Sequence, residues 1–167
     1  MFGIITSRDF LAKLEADCTD FKAEPDSARH ALDCIITAYH LHEWVWGDWL
    51  KTDYATWKKL KIRDESSFTS WLDGSWPGFA VVQGLTNGTK HFIRNITIEE
   101  RPIETERIAG YGSGPYGVGS YGKPYLLIDY GAAAPDRWQT AEEIIDDAVV
   151  FWRSFFETYR PAAPPVA

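Results

Sequence analysis

The chain has 167 residues and a net charge of −7, and 45% of its residues are hydrophobic. This size and composition predict one globular domain that buries a core without disulfide bonds or a structural metal. The acidic net charge argues against nucleic-acid binding through bulk charge, because neutralisation of phosphates needs clustered cations. Nucleic acid could then bind only at a local basic patch. Eight tryptophans and an aromatic content of 15% indicate a ring-rich core or an aromatic-walled binding surface.

The first part of the chain has the apolar periodicity of amphipathic helices. A first helix is predicted over residues 7–23, with Ser7 as its N-cap. A second helix is capped by Asp26 or Ser27 and runs to about Leu50. This second helix is apolar on so many sides that we expect it at the centre of a bundle.

Shorter helical segments follow the second helix. Residues from 52 or 53 to about 60 predict a short helix, and residues 68–72 predict one further turn. The next helix is predicted to have Ser75 as its N-cap and to end at Asn87-Gly88, because Asn-Gly is typical of a helix C-cap.

After residue 91 the periodicity changes to that of β-strands. Strands are predicted at 92–98, 103–108 and 124–130, with the third antiparallel to the first. The segment 110–122 is rich in glycine and tyrosine, which favours either a surface loop or a flap that covers a ligand or a partner.

The chain is predicted to end in a long helix and a short tail. Residues 135–139 lead into the helix, and Thr140 and Glu143 have the spacing of a capping box at its start. The apolar stripe of this helix runs to Tyr159. Residues 161–167 are rich in proline and alanine and are predicted to be a disordered tail.

Together these elements predict a mainly α (α+β) fold, with about four helices in a bundle. A small antiparallel β insertion at about 91–131 separates the third and last main helices, and residues 1–160 form one domain. The sequence shows no secretion signal, no membrane-spanning stretch and no CxxC spacing. We therefore expect a cytoplasmic protein with two buried thiols, Cys18 and Cys34, no membrane partner and no cofactor.

Residues 86–91 carry an amide, an ammonium and an imidazole in close succession, in Asn87, Lys90 and His91. An imidazole moves protons near neutral pH, and an ammonium binds phosphate, so the three residues are candidates for a catalytic set. The alternative is structural, with Asn87-Gly88 ending a helix and Lys90-His91 entering a strand.

A bundle whose third helix ends in Asn87-x-x-x-His91 resembles the HEPN superfamily. Many members of that superfamily are metal-independent ribonucleases or parts of toxin–antitoxin and phage-defence systems. The family motif has an arginine where this chain has Thr86, and this difference favours a non-catalytic binding or interaction module. The alternative that the resemblance implies is a divergent ribonuclease in which His91 is acid and base, Asn87 orients and Lys90 binds phosphate. The resemblance also implies a homodimer and a partner that is protein or RNA.

The second predicted helix carries His40, His42, Glu43 and Trp44 close together. By helical phase His42 shares the apolar stripe, which is typical of a core histidine, whereas His40 lies off the stripe. Bundles also bind metals through inward histidines and carboxylates, and His42, Glu43 and His91 would be the best ligands. The chain has no HExxH sequence, and His40-x-x-Glu43 has the reverse order of the Glu-x-x-His motif found in ferritin-like metal sites. A metal-binding bundle is therefore the last alternative, and no metal site is assigned.

Two further segments are candidates for binding surfaces. A dense basic run at the end of the short helix predicted to end at about residue 60 is either a solvated helix end or a phosphate-binding patch. The tyrosines of the glycine-rich segment are candidates for contact with a ligand or a partner. The basic residues are Lys58, Lys59, Lys61 and Arg63, and the tyrosines are Tyr111, Tyr116 and Tyr121.

Overall fold

A computed structural model describes residues 2–91, 96–98, 101–109 and 112–159, with side chains described except at positions 90, 91, 96–98, 101 and 102. Within these residues the fold is mainly α with a small antiparallel sheet, as predicted. The α-helices and strands are, in chain order, α1 (Ser7–Ala23), α2 (Ala28–Asp48), α3 (Tyr54–Leu60), α4 (Glu65–Ser75), α5 (Gly78–His91), β1 (Ile96–Ile98), β2 (Arg101–Ile108), β3 (Tyr125–Asp129), β4 (Trp138–Thr140) and α6 (Ala141–Tyr159).

Helix α2 lies at the centre of the bundle, because it packs on α1, α5 and α6. Its residues Leu41 and Val45 are fully buried. The indole N–H of Trp152 on α6 donates a hydrogen bond of 3.0 Å to the carbonyl oxygen of Ala38, which ties α6 to α2 inside the core. Among the helices of the described residues, none is both long and apolar enough to cross a lipid bilayer.

The start of α1 corrects the prediction that Ser7 is the N-cap. Thr6 is the cap, because its hydroxyl accepts from the Asp9 amide while its own amide donates to the Asp9 carboxylate. Ser7 is the first helical residue and is buried, and its hydroxyl donates to Asp48 across 2.7 Å. Asp48 at the end of α2 therefore also holds the start of α1.

The boundary between α4 and α5 also differs from the prediction. The single turn predicted at 68–72 is a longer helix, α4, and Ser75 ends it instead of beginning the next one. Trp76 takes an extended conformation, as residues before proline do, and this interrupts the helical path before α5 begins at Gly78. The Trp76 side chain is buried, and its indole N–H donates to Asp147 on α6 across 2.6 Å.

Helix α5 continues past Asn87-Gly88 to His91, so the predicted C-cap at this dipeptide is wrong. Gly88 is buried and the Thr89 hydroxyl donates to the Thr86 carbonyl oxygen across 2.7 Å. Burial of Gly88 thus outweighs the local preference of Asn-Gly for a helix end.

The strands form a meander in the order β1-β2-β3-β4, with each neighbouring pair antiparallel. The third predicted strand, β3, pairs with β2 and β4 and runs in the same direction as β1, so the prediction that it is antiparallel to the first strand is wrong. Strand β4 lies partly in the segment predicted only to lead into α6. Of the first predicted strand the structure describes 96–98, and residues 92–95 lie outside the described part of the chain.

Alternate residues of the sheet face opposite sides. Ile128 of β3 belongs to the bundle core, and Leu126 packs against that core. Tyr125 and Leu127 face the other side, where they form a small separate apolar cluster with Ile108 of β2. The sheet therefore has a bundle-facing side and an outward side, and the glycine- and tyrosine-rich segment packs on the outward side through Val118.

Candidate functional site

An apolar cavity of about 380 Å³ lies between the bundle and the sheet. Its walls are the first turns of α2, the last turns of α5 and the strands β2 and β3. A cavity of this size and character is typical of sites that bind small molecules. The apolar side chains in its lining include Ala28, Ala31, Leu32, Ile35, Leu85 and Leu126.

Small residues leave this space open. Ala28 and Ala31 of α2 are one turn apart and lie opposite the sheet, and Gly88 lies on the facing part of α5. None of the three has a side chain long enough to fill the gap between helix and strand. Leu32 and Leu126, which border the same gap, are only partly buried, so apolar surface stays in contact with water there.

Polar groups lie at the mouth of the cavity. The guanidinium of Arg107 on β2 donates to the carboxylate of Asp26, with 2.9 Å between Nε and Oδ2. Thr89 and Thr105 contribute hydroxyl groups to the lining. A ligand here would meet mainly aliphatic walls, two hydroxyls, Glu106 and the Arg107 guanidinium, which already has its counter-ion.

The candidate catalytic set at the end of α5 is only partly described. Thr86, at the position of the family arginine, is 3% exposed, and its buried hydroxyl donates to no described acceptor. Asn87 is exposed, and Thr89 borders the cavity. The backbone of α5 includes Lys90 and His91, so positions 87 and 91 are one helical turn apart. The side chains of Lys90 and His91 lie outside the described residues.

His42 is a core residue. Its ring packs against Tyr39 and Phe79, and its Nδ1–H donates to the Tyr39 carbonyl oxygen across 2.5 Å. Burial lowers the pKa of His42 below its ordinary value, so this imidazole is neutral at pH 7. His42 is therefore poorly placed to exchange protons with a substrate.

The other residues of this cluster have partners of their own. His40 pairs with Glu43 across 3.0 Å, and Trp44 stacks on Phe10 with 4.7 Å between ring centroids. Glu43 is thus paired with His40. Within the described part of the chain, no three histidine, cysteine, aspartate or glutamate side chains converge on a point that could hold a metal ion.

The two cysteines are buried, unpaired thiols. Burial raises the pKa of both, that of Cys34 to about 12. Because the thiolate is the reactive form, neither is suited to nucleophilic catalysis near neutral pH.

The predicted binding surfaces are exposed. Lys61 ends α3 in the left-handed conformation, with φ of 58°, and the basic side chains around it extend into solvent. Tyr116 and Tyr121 of the glycine-rich segment are also exposed, and Tyr111 lies outside the described residues. The basic residues in question are Lys58, Lys59, Lys61 and Arg63.

Sequence reasoning did not find the bundle–sheet cavity. Its residues come from α2, α5, β2 and β3, and no local motif joins them. One signal for it was present in the sequence. Ala28 and Ala31 put small residues on the apolar face of a helix that is otherwise rich in large apolar side chains. Arg107 lies at the mouth of the cavity, on a strand whose residues face the bundle and the outward side in turn, and no sequence motif marks it.

Comparison of the chain with known protein families, with proteins of described function and with solved structures finds no match in any of the three. No activity can therefore be transferred from a relative.

Proposed function

We propose that this protein is a non-catalytic binding module that holds a small, mainly apolar ligand in the cavity between the bundle and the sheet. The observation that carries the proposal is the mainly aliphatic lining of a 380 Å³ space between α2, α5 and the strands β2 and β3. Open apolar surface of this kind favours ligand binding, because each methylene moved out of water contributes about 0.8 kcal/mol. After the cost of immobilisation, a ligand of two fused or linked rings would bind with a Kd on the order of 10 µM.

The test is a titration with N-phenyl-1-naphthylamine, an uncharged two-ring amine whose fluorescence rises in apolar surroundings. Ala28→Leu adds three carbons at the mouth of the cavity and should weaken binding by about tenfold or more, which corresponds to about 1.4 kcal/mol. Ala28 is exposed at the first turn of α2, so the variant should fold. Ala16→Leu, at an exposed position of α1, is the matched control and should bind as the wild type does. Equal affinity in all three proteins, or no binding, would reject the proposal.

We also propose that the protein is related to the HEPN superfamily, that it is cytoplasmic and that it forms a homodimer. The relationship is supported by the mainly helical bundle and by the spacing of Asn87 and His91 on one helix. The location is supported by Cys18 and Cys34, since unpaired thiols are typical of reducing compartments. Light scattering on the purified protein would test the dimer.

A metal-independent ribonuclease is the second candidate function. What favours it is the continuity of α5, which puts Asn87 and position 91 one turn apart on the same helix. RNA cleavage in EDTA that disappears in His91→Ala would establish this enzyme and replace the non-catalytic proposal. No cleavage by the folded wild-type protein would exclude it.

A further inference from the structure

Two polar side chains of β2 face the bundle–sheet cavity. Thr105 and Arg107 pair with Ile128 and Leu126 of β3, and residues paired across antiparallel strands lie on the same side of the sheet. Ile128 belongs to the bundle core and Leu126 packs against it. The side chains of Thr105 and Arg107 therefore lie on the bundle side, where both residues line the cavity.

The lining of the cavity is polar where it is exposed and aliphatic where it is buried. Thr89, Thr105 and Arg107 are exposed, whereas Ile35 and Leu85 are 4% and 5% exposed. A ligand with an apolar body and one polar end matches this distribution. Its body leaves water, while its polar end keeps hydrogen bonds at the mouth.

The accessible charge at the mouth is positive. Arg107 pairs with Asp26, but the two side chains are 58% and 21% exposed, and of the two only Arg107 lines the cavity. Glu106 also borders the cavity, but it pairs with Leu127, whose side chain lies on the outward side of the sheet. The Glu106 carboxylate therefore belongs to that outward side. A ligand that enters the cavity thus meets the guanidinium of Arg107.

Asp26 leaves one edge of this guanidinium open. The Oδ2 atom of Asp26 accepts from both Nε and Nη2 of Arg107, with 2.9 Å between Oδ2 and Nε. Among the described residues, no acceptor lies on Nη1. A carboxylate binds the edge formed by Nη1 and Nη2 through two parallel hydrogen bonds, so a second carboxylate can bind without displacing Asp26.

We infer that the ligand of the bundle–sheet cavity is an apolar molecule with one terminal carboxylate, the class to which medium-chain fatty acids belong, and that Arg107 binds this carboxylate. The inference rests on the proposed function of the same cavity. The apolar part lies between α2 and the sheet, and the carboxylate stays at the mouth, where water reaches it and the cost of its desolvation is small.

The probes are octanoate, 1-octanol and octylammonium, which have the same chain length and differ in charge. Titrated at pH 7 into ¹⁵N-labelled protein, octanoate should bind with a Kd on the order of 1 mM, as expected for a ligand of this size. It should bind about fivefold more tightly than octylammonium, the upper range for an ion pair accessible to water. Octanoate should also shift the side-chain Nε–Hε resonance of Arg107.

Two substitutions separate an electrostatic role of the Arg107–Asp26 pair from a structural one. Arg107→Met removes the cation and should weaken octanoate binding about fivefold, while 1-octanol binding changes by less than about twofold. Asp26→Asn removes a like charge and should tighten octanoate binding. If the pair only shaped the mouth, both substitutions would weaken octanoate binding. Arg137→Met, which changes a paired arginine on the outward side of the sheet, is the matched control and should bind octanoate as the wild type does.

The outcomes distinguish this inference from the proposed function. Binding of 1-octanol together with octanoate no tighter than octylammonium would overturn the inference and leave the apolar site in place. Octanoate binding that is unchanged in Arg107→Met, or weakened alike in Arg107→Met and Asp26→Asn, would do the same. No binding of the three compounds or of N-phenyl-1-naphthylamine would reject the proposed function, and this inference with it.

Discussion

Arg107 of β2 donates a charge-assisted hydrogen bond to Asp26, two residues before α2, and so joins the sheet to the bundle at the mouth of the apolar cavity. The two side chains are 58% and 21% exposed. The pair therefore defines the rim of the cavity while it remains accessible to water.

Replacement of Arg107 by methionine keeps an unbranched side chain and removes the charge. Because the pair is accessible to water, Arg107→Met should lower the free energy of unfolding by less than about 1 kcal/mol. Urea unfolding of Arg107→Met, Asp26→Asn and the double variant measures the coupling of the two residues. A loss above 2 kcal/mol in the single variants would mean that the pair holds the two layers together.

Asp147→Ala should destabilise the protein more than its exposed position suggests. The Asp147 carboxylate accepts the indole N–H of Trp76, which is 2% exposed, across 2.6 Å. Its removal leaves a buried donor unpaired, and we expect the free energy of unfolding to fall by about 1–3 kcal/mol. Glu157→Ala, at an exposed position of the same helix, should change it by less than about 0.5 kcal/mol. Similar small effects in both variants would show that this hydrogen bond contributes little.

Gly114→Ala tests the packing of the glycine-rich segment on Tyr125. The added methyl would lie 2.0 Å from Tyr125 Oη, so we expect a loss of about 1–3 kcal/mol in the wild-type background. In a Tyr125→Phe background the nearest remaining ring atom is Cζ, at 3.1 Å, and most of the loss should disappear. Chemical unfolding of the four proteins completes the cycle, and an equal loss in both backgrounds would place the strain elsewhere.

His42 should make stability depend on pH below neutrality. Burial lowers its pKa in the folded state from the ordinary 6.5, so the unfolded chain binds this proton at a higher pH than the folded protein does. The free energy of unfolding should therefore fall as the pH drops below about 6.5, by at most about 1.4 kcal/mol per pH unit, and level off below the folded pKa.

A His42→Asn variant provides the control for this pH dependence. The side-chain amide nitrogen of asparagine is the same number of bonds from Cα as Nδ1, so it keeps a donor for the Tyr39 carbonyl oxygen and does not titrate. Between pH 7 and 5 its free energy of unfolding should vary less than that of the wild type. Identical curves for the two proteins in this range would contradict a neutral, buried His42.

Helix boundaries were predicted correctly where the residues that determine them lie within the helix itself. The Thr140–Glu143 capping box is present, with the Thr140 amide donating to Glu143 across 2.7 Å, and it begins α6 as predicted. At Asn87-Gly88 the local signal was outweighed by tertiary packing, because Gly88 is buried and α5 continues. Strand β4 has only three residues, which is too short to show the alternation that predicts a strand.

The cavity was harder to predict than the elements. The bundle–sheet cavity depends on the distance between α2 and β3, which no pattern within either segment encodes. The unpartnered hydroxyl of Tyr125 is likewise a property of the folded loop around it. Only the glycine and tyrosine content of 110–122 indicated that this segment could cover something.

The proposed binding of an apolar ligand between the bundle and the sheet can be located by a ¹³C-edited NOE spectrum of the protein with N-phenyl-1-naphthylamine bound. We expect contacts from the dye rings to the methyl groups of Leu32, Ile35 and Leu126, which line the cavity. A bound dye whose contacts all lie elsewhere, with none to these three residues, would contradict it.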